Sequence, residues 1–262
     1  MKIYRRIFGK ISDESMKSVL ESILKEDLGL IYFSKDLDES SVEYNLIKEY
    51  VNIFNLEDGV IGAEFTDNEI LDAEVLCFTG GRPFAYPQPE EPKYLENTYL
   101  DSCYSCGAFG EQKADFVIKK EPNIKPNSLV SLHWVFGELL SERTLYKEFF
   151  QKLGLDMRTV RLNKKTEQAE SVVQIILPRL DTPLKIENLD YTTCQKCTRK
   201  KYIPTTIGFF PMPEQRNFSI ISTSEFFGSG HSAGHRVLVS NSTMKEMLVL
   251  KIAKQHQFVP CK

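Results

Sequence analysis

Two cysteine pairs at CxxC spacing constrain this chain more than any other feature: Cys103 and Cys106 in CYSCGAFG, and Cys194 and Cys197 in CQKCTRKKY, 91 residues further on. A pair at this spacing fits a tight turn whose backbone amides point at the sulfurs, and two such turns complete a tetrahedral Zn²⁺ site. Gly107 suits the first turn because glycine accepts a left-handed backbone. The second turn has Thr198 at the matching place, so it is expected to be built somewhat differently. The separation of 88 residues between Cys106 and Cys194 exceeds that of a compact zinc ribbon, so a shared ion would join two distant parts of the fold. Four thiolates leave no open coordination position, which makes such an ion structural and not catalytic. The rival readings are a redox pair and unmetallated thiols. A redox CxxC has a strand before it and a helix running from it. Neither TYLDSCYSCGAFGEQ nor LDYTTCQKCTRKKYIP continues as a helix. Cys77 and Cys261 stand alone and are expected to be buried thiols.

The cysteine pairs head what reads as an internal repeat. Phe136 follows Cys103 by 33 residues, and Phe227 follows Cys194 by the same 33. Glycine follows each phenylalanine. Each copy then runs into a hydrophobic-Ser pair and a Lys-Glu inside a helical apolar pattern, and the second copy carries about eight extra residues, GSGHSAGH. The predicted fold class is α+β: an acidic N-terminal α/β region over 1–80, a Pro-rich connector over 81–102, and a double-CxxC region over 103–262. Two similar halves, 103–180 and 194–262, would be joined by the zinc.

Within the first region, Met16, Val19, Leu20, Ile23 and Leu24 recur at helical spacing, with Ser12 and Asp13 as candidate N-caps and Gly29 as a stop. LIYF reads as a strand, and a second helix is patterned on Val42, Leu46 and Tyr50. GVIGAEFT and ILDAEVLCF read as strands. Pro83, Pro87, Pro89 and Pro92 fall within ten residues, which predicts an extended connector. Further on, MRTVRL, ESVVQIILP and HQFVP read as strands.

Charge is split between the halves. Residues 1–102 hold 10 Lys and Arg against 21 Asp and Glu, a net of −11, and residues 103–262 hold 23 against 15, a net of +8. Such polarity suits either a partner surface or two solvated faces. No apolar run approaches the ~20 residues needed to span a bilayer. The start, MKIYRRIFGKISDES, lacks the apolar segment of a secretory signal. The expected location is therefore cytoplasmic, where paired thiols more often bind metal than form structural disulfides.

Other candidates for chemistry are weak. His231 and His235 sit four apart, but Gly228, Gly230 and Gly234 disfavour a helix, and no Glu follows His231. That segment reads as a mobile small-residue insertion or as a binding loop. FTGGRP has no lysine and no helix behind it, so it is not a phosphate cradle. Arg199, Lys200 and Lys201 could touch nucleic acid, but such a triplet is more often a solvated turn. His133 and Trp134 read as core. No nucleophile elbow, zinc-protease motif or dinucleotide loop is present, which lowers the odds of an enzyme.

YPQPEEPKYLENTYLDSCYSCGAFGEQKADF, then LHWVFGELLSE, the second CxxC and FFGSGHSAGHRVLVS together resemble the double-CXXCG family over residues 75–262. Its members are bacterial proteins found beside polymorphic or contact-dependent toxins, some of them assigned as immunity proteins. The resemblance implies a non-enzymatic protein that binds and neutralises a cognate toxin, with Cys103, Cys106, Cys194 and Cys197 as the paired motif and one structural Zn²⁺ per chain. It departs from the family at the second pair, which ends in Thr198 where glycine is expected. A nucleic-acid-binding zinc protein and an enzyme without a local motif are the alternatives.

Overall fold

The computed structural model describes residues 1–29, 31–163, 167–203 and 208–262. Chain contacts divide them into two compact units, Met1–Glu69 with Thr205–Phe209, and Ile70–Pro204 with Phe210–Lys262. The architecture is mixed α and β, and sheets dominate.

The first unit is built on strands β1 (Lys2–Lys10), β2 (Tyr32–Asp38) and β3 (Glu57–Glu64), with β1 central and antiparallel to both neighbours. Helix α1 (Glu14–Leu24) begins where expected, with Asp13 accepting from the Met16 amide as N-cap. It stops at Lys25 in a left-handed conformation, before Gly29. Helix α2 (Val42–Lys48) buries Tyr44 and Ile47, while Val42 and Leu46 are exposed. The apolar stripe read from Val42 and Leu46 was therefore the outer face. Tyr44 goes inside because its hydroxyl finds the Asp58 carboxylate at 3.1 Å, which also takes Arg5 Nε at 2.8 Å. The LIYF strand starts later than expected, at Tyr32, and its Leu30 lies outside the described residues.

Helix α3 (Asp67–Leu71) takes the start of the ILDAEVLCF stretch, so only its end is strand: β4 (Val75–Phe78). The second unit continues with β5 (Arg82–Ala85), helix α4 (Lys93–Thr98), β6 (Phe116–Ile118), β7 (Leu129–Leu132) and β8 (Leu139–Glu142). Helix α5 (Arg143–Leu145) runs on as a π-helical turn to Phe150, and β9 (Asp156–Leu162) and β10 (Gln168–Ile176) follow. Then come β11 (Tyr191–Thr193), β12 (Lys200–Tyr202), β13 (Ile220–Ser222), β14 (Phe226–Phe227), β15 (Val237–Ser240), helix α6 (Asn241–Val249) and β16 (Phe258–Pro260). They form sheets in the orders β5-β7-β8-β10-β9-β6, β11-β12-β14 and β13-β15-β4-β16.

The Pro-rich stretch lies inside this unit and is only partly irregular. Its first proline sits in β5, an edge strand parallel to β7, where the missing N–H is tolerated. Cys77 and Cys261 are buried thiols in the core beside the four-stranded sheet. His133 and Trp134 are half-buried, stacked or tilted against Tyr86 with ring centroids 4.2 and 4.5 Å away, and Trp134 packs against the core of the large sheet as expected.

Candidate metal centre

Each cysteine pair is the turn of a hairpin. Around the first, the amide of Leu100 donates to Glu111 and that of Gly110 to Leu100, and Tyr99 bridges Gln112. The second closes β11 against β12, where Thr193 opposes Lys200. The two turns share one hydrogen-bond scheme. Cys103 N donates to Ala108 O at 2.8 Å and Gly107 N to Cys103 O at 2.8 Å; Cys194 N donates to Arg199 O at 3.0 Å and Thr198 N to Cys194 O at 2.9 Å.

The second turn is thus built like the first, contrary to the expectation from Thr198. Thr198 takes φ +59° where Gly107 has φ +74°. A β-branched residue at such a φ is strained, and here its hydroxyl bonds the Cys197 carbonyl at 2.7 Å. Because Thr198 is exposed, Thr198→Gly removes strain without opening a cavity. We expect it to raise stability by up to about 1 kcal/mol, read as a higher urea midpoint at unchanged slope.

The turns bring all four sulfurs together. Cys103 Sγ lies 3.8 Å from Cys194 Sγ, and Cys106 Sγ 3.6 Å from Cys197 Sγ, with all four within 4.8 Å of one another. A tetrahedron with Zn–S bonds of about 2.3 Å has S···S edges of about 3.8 Å, so the set fits a four-thiolate ion. Backbone amides point at the sulfurs: those of Cys197 and Lys196 pull the Cys194 thiol down to about 6. Burial pushes Cys106 up to about 12 against the Ala108 amide. A divalent cation is what would let all four carry charge together.

Little apolar packing holds this centre. Its buried companions are Ala108 and Ala233, with Phe226 partly buried against them. The remaining support is polar. Lys201, expected in a solvated basic turn, is only 3% exposed, and its ammonium donates to the carbonyls of Cys106 (3.0 Å), Ser232 (3.1 Å) and Gly230. Lys200 lies over the Tyr191 ring at 4.3 Å, and Arg199 bonds the Asp101 carbonyl at 2.6 Å.

The GSGHSAGH segment is packed against the first turn and is neither a metal site nor a free insertion. His231 Nδ1 lies 3.0 Å from the Tyr104 carbonyl, which makes that nitrogen the donor. His235 turns away and is buried, its Nδ1 3.1 Å from Glu225 O, and burial with nearby Arg179 lowers its pKa to about 4. An unfolded His titrates near 6.5, so this residue adds nothing to the pH dependence above that value. As pH falls from about 6.5 to about 4 the unfolded chain gains a proton that the fold refuses, and stability drops by about 3 kcal/mol. Urea midpoints at pH 7 and pH 4.5 should fall less in His235→Asn than in the unaltered chain.

Comparison of the chain with family models, curated proteins and solved structures finds no match. Among the described residues, no helix is long and apolar enough to cross a membrane.

Proposed function

We propose that the thiol cluster holds one structural Zn²⁺ per chain and that the protein is a non-catalytic immunity protein, neutralising a cognate toxin in the cytoplasm. The observation that carries the first part is the closed set of four sulfurs, two from each hairpin turn, all within 4.8 Å of one another and with two cross-turn pairs at 3.8 and 3.6 Å, close to a tetrahedral edge. Bound there, the ion supplies cross-linking alone, since four thiolates leave no position for water or substrate. Cys103, Cys106, Cys194 and Cys197 would ligate it, and Lys201, one carbonyl away from Cys106, would offset the negative charge of the thiolates. Elemental analysis of protein purified without added zinc should find one zinc per chain; none would sink the site.

The immunity role rests on the resemblance to the double-CXXCG family and is supported by the charge of the first unit. Residues 1–69 hold 8 Lys and Arg against 15 Asp and Glu, a net of −7, suited to steering a basic toxin. Co-expression should protect cells from the cognate toxin, and the complex should weaken as salt rises. Neutralising the exposed Glu14, Glu49 and Glu57 to Gln should flatten that salt dependence. An unchanged slope would remove this unit from the interface.

We also infer that the two cysteine-bearing halves are equivalent. Each turn is followed, 26 residues after its first cysteine, by a strand starting at Leu129 or Ile220. That strand pairs antiparallel with β8 or β15, and Glu142 or Ser240 at the strand's end then caps a helix through its side chain. The nucleic-acid alternative loses support, because Lys201 is committed to three carbonyls.

A further inference from the structure

A cavity of about 450 Å³ opens in the second unit where β9 and β10 meet the chain after α4, the β7–β8 loop and His235. None of the four thiols lines it, and its walls carry several polar groups. Gln112 and Gln174 pair their amides reciprocally, at 2.9 and 2.6 Å, and Gln174 also donates to Glu138 Oε2 at 2.9 Å. Since Gln174 is 2% exposed, it holds the Glu138 carboxylate in place. Arg158 is anchored by one bond, from Nη1 to the Gln112 carbonyl at 3.1 Å, which leaves its other donors free to face the cavity. Among the described residues the Arg179 guanidinium has no hydrogen bond or ion pair. Both arginines act electrostatically on Glu138 and Tyr99, and Arg179 on His235 as well, so the groups lie together.

Two further atoms on these walls are unsatisfied. Tyr99 Oη and His235 Nε2 are buried with no hydrogen-bond partner. Orphaned buried polar atoms are rare in folded proteins and each is unfavourable. Because His235 Nδ1 donates to Glu225 O, the Nε2 of the neutral ring is an acceptor. The walls thus offer two guanidinium forks for an oxyanion, and two acceptors, Glu138 and His235, for a donor group. The apolar remainder includes Phe109, Ile176 and Leu177.

We propose that this cavity binds a small organic anion, whose carboxylate or phosphate is taken by Arg158 and Arg179 and whose N–H or O–H group faces Glu138 and His235. The proposal is independent of the immunity reading and of the metal. Its volume suits a metabolite-sized molecule.

The test uses the full metal-loaded chain with inorganic phosphate and, separately, succinate as probes, each against potassium chloride at the same ionic strength. The expected result is a saturable rise in melting temperature and a matching calorimetric titration with at least one probe; which of them binds tells phosphate from carboxylate. Arg179→Gln should weaken that binding by roughly tenfold or more. Because the Arg179 side chain is exposed and makes no hydrogen bond or ion pair among the described residues, while its backbone bridge to Ser222 is untouched by the change, the variant's folding should be normal. Arg82→Gln, an exposed edge-strand change, should leave binding intact. If neither probe exceeds the chloride control, or if Arg179→Gln binds as the unaltered chain does, the proposal is overturned.

Discussion

Replacing Cys194 with Ser is expected to release the metal and to lower stability by at least about 4 kcal/mol, a melting shift of roughly 10 °C. The size follows from the packing around the thiols. With Ala108 and Ala233 as the buried apolar companions, the two hairpin turns have little hydrophobic surface to hold them together. On the proposed metal site, ion binding would then supply most of the coupling between segments 91 residues apart in the chain. Cys103→Ser, on the other turn, should give the same loss, because each pair is useless alone. The first unit is an internal control. Its core of Ile7, Met16, Leu20, Tyr44 and Ile47 contains no cysteine, and signals from Tyr44 should survive. Calorimetry with zinc analysis of both variants checks this. A variant that keeps its zinc and its melting temperature would show that the thiols do not share an ion.

Gly107→Ala should be nearly as damaging, by about 3–5 kcal/mol, although it adds a single methyl group. A Cβ at this position would sit 2.0 Å from the His231 carbonyl oxygen and 3.0 Å from its carbon, with φ at +74°. Neither neighbour is a flexible side-chain end, so the chain carrying His231 must move. That chain also supplies the Gly230 and Ser232 carbonyls that satisfy Lys201. Gly154→Ala separates the two causes. Its φ is +77° with nothing within 4 Å of the added carbon, so only conformational strain remains, about 1 kcal/mol. Equal losses in the two variants would mean that the His231 contact carries no weight. Thr198→Gly changes the equivalent position of the other turn in the opposite sense, and its expected sign is opposite too.

The paired cysteines were legible because CxxC spacing is a local property: four consecutive residues define the turn, and two turns of thiolates have few uses besides a metal. The first helix was legible for the same reason, since Asp13 and the Met16–Leu20 periodicity act within a few residues of one another. The second helix shows the limit. Periodicity alone could not rank Val42 and Leu46 against Tyr44 and Ile47, because Asp58 on another strand decides which face is satisfied inside. Thr198 misled in a similar way. The residue type argued for a different turn, yet the ladder between β11 and β12 imposes the same one and accepts the strain.

Sequence by itself determined the thiol set, the acidic character of the first unit, its first helix and several strands, among them β3, β9, β10 and β16, all of which depend on neighbours close in the chain; the central strand β1 was not among them. Only tertiary structure decided that Lys201 is a buried brace, that the His231 loop packs on Gly107, and that Tyr99, Glu138, Arg158, Arg179 and His235 surround one cavity. Those residues are spread over positions 99 to 235 with no periodicity or motif among them. What unites them is burial and a balance of donors and acceptors, which exist only once the strands that carry them have been brought together.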